Sequence, residues 1–342
     1  MNPHYLAWAL RRYERDILSS CAKNGTTVQS IETARLRGFP LPLPPLPEQH
    51  RIVAAIEEQF SRLDAGVVSL QRAKRNIARM RAAVLTAAVE GRVDDRRFGD
   101  RADSSEYGEH SVRSVTLARW QQTTLGNIVD GLRYGTSTRC AYGANGEPVL
   151  RIPNVRGRTV DLTDLKRAID HAANLGTTKV RTGDLLFIRT NGSPDLIGRV
   201  SVVPQSADGY AFASYLIRGR PRPDVSASFY ALVLDSPVYR ALLRQRAATS
   251  AGQYNISASS LASIPVPLPS LAEQQAIVGE VERQFSILDA MDATVDAGLS
   301  RAASLRQSIL SEAFAGRLVP QDPGGEPVSA LRERMEGAEV AV

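Results

Sequence analysis

The same proline-punctuated opening to a helix occurs twice in this chain. LPLPPLPEQHRIVAAIEEQFSRLD runs from Leu41 to Asp64, and VPLPSLAEQQAIVGEVERQFSILD from Val266 to Asp289, an offset of 225 residues. The match extends without a gap. Ile31 aligns with Ile256, Leu36 with Leu261, Pro40 with Pro265, Gly91-Arg92 with Gly316-Arg317, and Tyr5 with Tyr230. Roughly two residues in five are identical over the central stretch, which marks an internal duplication rather than two helices of like composition. A period this long is not a solenoid repeat; it is a domain with its connecting helix, duplicated.

Each copy runs from a polar stretch through a proline strap into a long helical pattern. The first strap holds Pro40, Pro42, Pro44, Pro45 and Pro47, a density that excludes a helix interior and favours extended backbone. Pro47 suits a first helical turn, and Glu48 follows where the helix dipole favours a carboxylate. No proline occurs from there to Gly91, which predicts a helix of about 44 residues and roughly 65 Å. The second copy predicts its equivalent from Leu271 to Gly316, and both close at a glycine suited to a C-terminal cap.

Inside the first helix Val53, Ile56, Phe60, Leu63, Val67, Leu70, Ile77 and Val84 alternate by three and four, with Lys74 and Arg81 in two polar slots. The second repeats this with Val278, Val281, Phe285, Leu288, Asp292, Val295, Leu299, Ala302, Arg306 and Ile309. These heptads predict a coiled coil. Duplicated units commonly pack about a two-fold axis, which makes the pair antiparallel. Mirrored about a midpoint between Leu70 and Gln71, Lys74 falls within a turn of Asp292, Arg81 near Phe285, and Arg306 near Phe60. The first contact would be a register-fixing ion pair and the others cation–π stacks.

The 342 residues divide into the end of a first globular domain (1–40), strap and first helix (41–93), a hydrophilic linker (94–114), a complete globular domain (115–265), strap and second helix (266–319), and a tail (320–342). Met1 falls opposite Ser226, inside the second copy of the domain, so most of a first sheet is expected to be absent. The complete domain carries short strand-like runs, EPVLRIPNV, GDLLFIRTNG, GRVSVVP and YAFASYLIRGR, then one or two helices in DVSASFYALVLDSPVYRALLRQRA. The expected fold class is α+β, with a curved, mainly antiparallel sheet beside the coiled coil.

No phosphate-binding glycine loop or dinucleotide fingerprint is present. Asp164-Leu165-Lys166 has the spacing of a nuclease carboxylate–lysine pair, but no second metal-binding carboxylate stands before it on a matching strand, and it reads as a helix start. His4, His50, His110 and His171 are scattered. Cys21 and Cys140 have no metal-like spacing and read as reduced thiols of a cytoplasmic protein. The charges in MNPHYLAWALRRYERD do not fit a signal peptide. No catalytic residue, metal site or cofactor is therefore expected, and a binding protein is favoured over an enzyme.

A net charge of +6 and a pI near 9.5 suit a polyanionic partner. Four loops hold the side chains that DNA binding uses: Arg133, Tyr134, Thr136, Thr138 and Arg139; Arg151, Asn154, Arg156 and Arg158; Arg189, Asn191, Ser193 and Arg199; and Gln253, Tyr254 and Asn255, with Tyr215 added from the last strand run. Arginine can grip the O6/N7 edge of guanine, and Asn or Gln the N6/N7 edge of adenine. The reading places these loops on one face.

With IPVPLPSLAEQQAIVGEVERQF and its copy FPLPLPPLPEQHRIVAAIEEQF, the closing GRL and GRV, and YGTST, GDLLFIRTNG and LIGRV in the domain, the chain resembles the specificity (S) subunit of type I restriction-modification systems. The resemblance implies two target-recognition domains, each followed by a helix of an antiparallel spacer. It also implies a non-catalytic subunit that binds double-stranded DNA and recruits two methyltransferase (M) subunits. The complex thereby directs adenine methylation, and cleavage by an ATP-driven restriction (R) subunit. For the missing first sheet three readings stand open: a half-type protein that pairs with a second S chain, a fragment (inactive in that case) of a split or decayed gene, or a misassigned start. The competing class is a coiled-coil scaffold with incidental basic loops.

Overall fold

The computed structural model describes residues 1–23, 30–92, 120–170, 175–250 and 252–320. The expected linker, the tail beyond Pro320, His110 and His171 lie outside them. The chain forms two units, Met1–Ile77 with the segment from Ala290, and Ala78–Asp289. Two helices, Leu46–Val89 and Leu271–Phe314, each of 44 residues, contribute to both. The second opens on a capping box, in which the Ser270 N–H donates to Glu273 Oε2 (3.0 Å) and the Glu273 N–H to Ser270 Oγ (3.3 Å). Both close in the same way. Gly91 (φ 68°) and Gly316 (φ 70°) take left-handed backbone, letting the Arg92 and Arg317 N–H groups reach back to Ala87 and Glu312 carbonyls at 2.9 Å.

The structure explains why the strap recurs. Gln49 is 2% exposed and Gln274 0%, and each amide makes two bonds. Gln49 accepts from the Asn2 N–H (2.8 Å) and donates to the Pro44 carbonyl (2.8 Å). Gln274 accepts from the Ser226 N–H (2.8 Å) and donates to the Pro269 carbonyl (2.9 Å). Beside them the Tyr5 hydroxyl donates to the Pro42 carbonyl (2.9 Å) and that of Tyr230 to Pro267 (2.8 Å). A proline lends no N–H but keeps its carbonyl, so the Gln and Tyr side chains hold the strap by its proline carbonyls.

The duplication holds element by element. Helices Pro3–Arg12 and Glu14–Cys21, a hairpin of Ala22–Lys23 with Ser30–Ile31, and helix Thr33–Arg37 have their counterparts in Ala227–Asp235, Pro237–Arg246, Ala248–Ser250 with Gln253–Asn255, and Ala258–Ala262. In the first unit Tyr5 and Ala9 pack on Ile52, Val53 and Ile56 of the first long helix and on Leu310, Ala313 and Phe314 of the second. In the second unit Tyr230 and Leu234 share a core with Val89 of the first long helix and with Ile277 and Val278 of the second.

The long helices pack antiparallel, and their basic residues land one turn from the mirrored positions. Lys74 bonds Asp296, one turn from Asp292, whose charge also acts on it; Arg81 bonds Asp289 (2.6 Å) rather than stacking on the Phe285 ring, and Arg306 bonds Asp64. Helical side chains lean toward their own N-terminus. A lysine or arginine that leans back one turn meets, on an antiparallel partner, the residue one turn further along. Arg306 also lies 5.5 Å over the Phe60 ring, as the mirror predicts. Val53, Ile56, Ile77, Val84, Val281, Phe285, Leu288 and Val295 are buried in the described structure, Leu63 and Asp292 half-buried. Lys74 is exposed, so it lies at the seam edge.

In the second unit the expected single sheet is divided. One four-stranded antiparallel sheet has the order Val200–Val202, Leu185–Ile188, Leu216–Pro221, Val129–Tyr134. A second runs Ala211–Phe212, Pro148–Leu150, Lys166–Ala168, Cys140–Ala141, its first pair parallel. Ala248–Ser250, Gln253–Asn255 and Thr190–Asn191 form a three-stranded sheet, and Gln121–Thr124 pairs with the strap strand Pro265–Leu268. Strands of two to six residues broken by Gly, Pro and Asn cannot sustain one continuous sheet. Leu185–Ile188 is buried on both faces. Leu185 and Phe187 join the core that includes Phe229 and Leu243, while Leu186 and Ile188 join Leu150, Val160 and Phe212. That is why LLFI is a continuous apolar run rather than an alternating one. Pro237 breaks the helical stretch in two.

Candidate nucleic-acid interface

Cross-strand register brings one group of the expected residues together. Tyr134 and Phe187 both pair with Ile217, so the strand ends carrying Tyr134 and Arg189 are neighbours on one sheet. Arg189 is pinned by its backbone, which donates to the Tyr215 carbonyl (2.9 Å) and accepts from the Ile256 N–H (2.9 Å). Its guanidinium lies 4.5 Å over the Tyr134 ring, and the Tyr134 hydroxyl accepts from the Ala258 N–H (3.0 Å). Asn191 pairs with Tyr254, and Thr190 with Asn255. Asn191 Oδ1 accepts from the Ser193 N–H (2.8 Å), which makes the turn. Gln253 stands exposed at the end of its hairpin.

Thr136 is tied to the same rim. Its N–H donates to Phe212 (2.8 Å) and its carbonyl accepts from Ser214 (2.7 Å), next to Tyr215. The Thr136 and Thr138 hydroxyls bond each other at 2.8 Å. Gly135 permits this approach, since a Cβ there would stand 2.1 Å from the Phe212 carbonyl oxygen.

Tyr134 is 43% exposed and Tyr215 57%. Arg189 Nε and Asn255 Oδ1 are buried with no hydrogen-bond partner among the described residues. The rim thus presents aromatic faces, a stacked guanidinium and amide groups together.

Other expected residues lie elsewhere. Arg133 pairs across the sheet with Arg218, and strand alternation points it to the face opposite Tyr134. There its charge adds to those of Arg181 and Arg220 beside the half-buried Arg218, whose pKa is lowered by burial first and then by these neighbours. The single-face expectation is corrected on this point. Asn154 is fully buried; its Oδ1 accepts from the Arg151 N–H (2.7 Å) and its Nδ2 donates to the Asp161 (2.8 Å) and Asp164 (3.0 Å) carbonyls. It braces a loop and has no edge left for a base. Arg151 binds Asp164 at 2.8 Å, and Arg156 donates to the Pro153 carbonyl at 2.8 Å. Arg158 lies over Phe285 at 4.6 Å. Arg199 is among the charges acting on Asp235 and Arg240, by the two helices of the domain. Arg139 is exposed and adjoins the second sheet.

Asp164 does not start a helix. It lies in a bend before the strand Lys166–Ala168 and receives the Tyr142 hydroxyl at 2.5 Å. That bond, reinforced by Arg151, holds its carboxyl below the usual range. Lys166 lies 4.6 Å over the Tyr142 ring, and Tyr142 is 66% exposed. This second cation-covered tyrosine was not among the expected residues; its signal was a second Tyr in the loop that holds Tyr134. Among the described residues no cluster of acidic, His and Cys side chains could hold a metal, and no helix is long and apolar enough to cross a membrane.

A family model, the type I restriction modification DNA specificity domain, matches residues 2–74. The EcoKI specificity subunit of Escherichia coli K12 is 29% identical over 93% of this chain, and the StySPI specificity subunit of Salmonella potsdam 28% over 94%. Over nearly all of its length the chain is similar to the specificity subunits of type I restriction enzymes. It spans 65% and 66% of the length of those two relatives. The fold of specificity subunits is matched as well. The HsdS subunit of Thermoanaerobacter tengcongensis superposes with a TM-score of 0.52 at 20% identity, covering 93% of this chain and 71% of that one. A chain from a type I R-M system, described for its complex assembly and conformational transition, reaches 0.68 at 19%, covering 92% and 71%.

Proposed function

We propose that this chain is a specificity subunit that reads duplex DNA through the rim of Tyr134, Thr136, Arg189, Asn191, Tyr215, Gln253 and Tyr254. In this reading its long helices carry methyltransferase subunits, and the complex directs adenine methylation and, with a restriction subunit, cleavage in the cytoplasm. The chain itself performs no bond chemistry. The observation that carries the reading is the Arg189–Tyr134 stack, held at a strand end beside Asn191 and Tyr254. A guanidinium fixed this way is a pre-oriented fork for a guanine edge, and the neighbouring amides suit adenine. Val68, Met80, Ile287, Met291 and Leu305 are large exposed apolar residues on the long helices, the kind of surface that receives partner helices.

The test assembles the chain with a methyltransferase subunit and selects from a randomised duplex pool. A sequence motif should be enriched, and Arg189→Ala should relax preference at one position by about 1 to 3 kcal/mol. A scaffold with incidental basic loops would enrich nothing, and that result would overturn the reading.

A further inference from the structure

Arg158 sits in a loop rich in DNA-binding residue types, yet it faces the second long helix. Its guanidinium lies 4.6 Å from the centre of the Phe285 ring, which is only 7% exposed. The loop behind it is fixed. Arg158 O accepts from the Val202 N–H (2.7 Å), the Val160 N–H donates to the Val202 carbonyl (3.1 Å), and Ser201 Oγ donates to the Gly157 carbonyl. The arginine therefore extends from a segment bonded along the strand Val200–Val202, not from a free loop.

The first tie between this domain and the helix is the strap clamp, Gln274 with Ser226 and Pro269, and Tyr230 with Pro267. Phe285 lies eleven residues beyond Gln274, roughly 16 Å along the axis. Ile277 and Val278 add apolar packing on the domain core, but within about one turn of that clamp; a contact at Phe285 lengthens the lever arm and restricts the swing that so short a base leaves. Between the two, continuous packing is interrupted by a cleft of about 430 Å³ lined by Arg158, Val202, Pro204, Ala231 and Glu282. The cation–π contact bridges ground that apolar packing does not fill.

The repeat points the same way. Phe60, the counterpart of Phe285, meets the edge of the Trp8 ring (5.0 Å) and Arg306 (5.5 Å). In the second copy the equivalent arginine, Arg81, goes to Asp289, and the guanidinium on the ring comes from the globular domain instead.

We propose that Arg158 is a positioning residue: stacked on Phe285, it is the second anchor that orients the recognition domain on its spacer helix. Its value for target reading rests on the function proposed above, because the reading rim must meet DNA at a set angle to the helix. The anchor can be tested without DNA. Spin labels at Ser137→Cys on the domain and Ser286→Cys on the helix, in a full chain with Cys21→Ser and Cys140→Ser, report their separation by pulsed electron resonance. The parent should give one narrow distance peak. Arg158→Ala and Phe285→Leu should each lose it while melting at nearly the parent temperature, and Arg158→Lys, a cation without the planar fork, should recover part. The parent's narrow peak persisting in both Arg158→Ala and Phe285→Leu overturns the proposal. A parent that binds no duplex would overturn the proposed function and leave this result standing.

Discussion

Burying a glutamine amide costs free energy unless its donors and acceptor find partners. Gln49 and Gln274 find theirs in a strap carbonyl and in the backbone N–H that leads into the preceding helix. Gln274→Leu keeps bulk but strands the Ser226 N–H and the Pro269 carbonyl. A loss of about 2 to 4 kcal/mol is expected, read by denaturant unfolding. The adjoining tyrosine adds a pH dependence. Burial first, then the nearby Tyr13 and Glu48, pushes the Tyr5 phenol up to about 12, against an ordinary value of about 10. The folded state holds its proton where the unfolded chain has released it, so stability is complete below pH ~10 and falls as pH rises toward ~12. Burial raises Tyr230 in the same direction. Tyr5→Phe should lose about 1 kcal/mol at neutral pH, its bond to Pro42, and also flatten the alkaline decline in melting temperature. The Glu-Gln pair was visible in the sequence as a repeated motif. What the Gln does was not, because its partners are backbone groups, which leave no mark in side-chain identity. Asn154 is the opposite case: its residue type suits base reading, and only burial shows its bonds spent within its own loop.

At the scale of elements, the long helices were legible almost to the residue, since proline, heptads and closing glycines each act locally. Their ion pairs were displaced by one turn because a sequence register locates Cα atoms, whereas long side chains deliver charge a turn away. Arg81–Asp289 is the pair best suited to a measurement. Its side chains are 36% and 61% exposed, so a double-mutant cycle with Arg81→Ala and Asp289→Ala should give a coupling of only about 0.2 to 1 kcal/mol, shrinking as salt is added. The role of these pairs is orientation: a parallel alignment would set Arg81 beside Arg306. Val84→Ala, which opens the seam itself, should cost more than deleting the ion pair, by about 1 kcal/mol or more. The sheets were less legible. LLFI, buried on both faces, could not disclose that its two faces belong to different cores, and the parallel pairing of Ala211–Phe212 with Pro148–Leu150 joins segments some 60 residues apart.

Across the whole molecule two kinds of force are separable by salt. The seam that unites the helices is apolar, with Ile56, Ile77, Val84, Leu288, Val295 and Ile309 buried along it, and salt does not screen such contacts. The proposed DNA contact is the reverse. A net charge of +6 is modest for 342 residues, so affinity for a polyanion must come from local cations such as Arg139, Arg156 and Arg189 rather than from the overall field. If about four of them neutralise phosphates, log K should fall against log salt with a slope near −3.6, a loss of roughly 150-fold between ~50 and ~200 mM. Over the same range the melting temperature should move by no more than a few degrees, since only exposed ion pairs weaken. Fluorescence anisotropy on a labelled duplex and thermal unfolding in matched buffers give the two curves. Affinity that is flat in salt would remove the electrostatic basis of the DNA reading, and a collapse in melting temperature would mean that the ion pairs, not the apolar seam, hold the helices together.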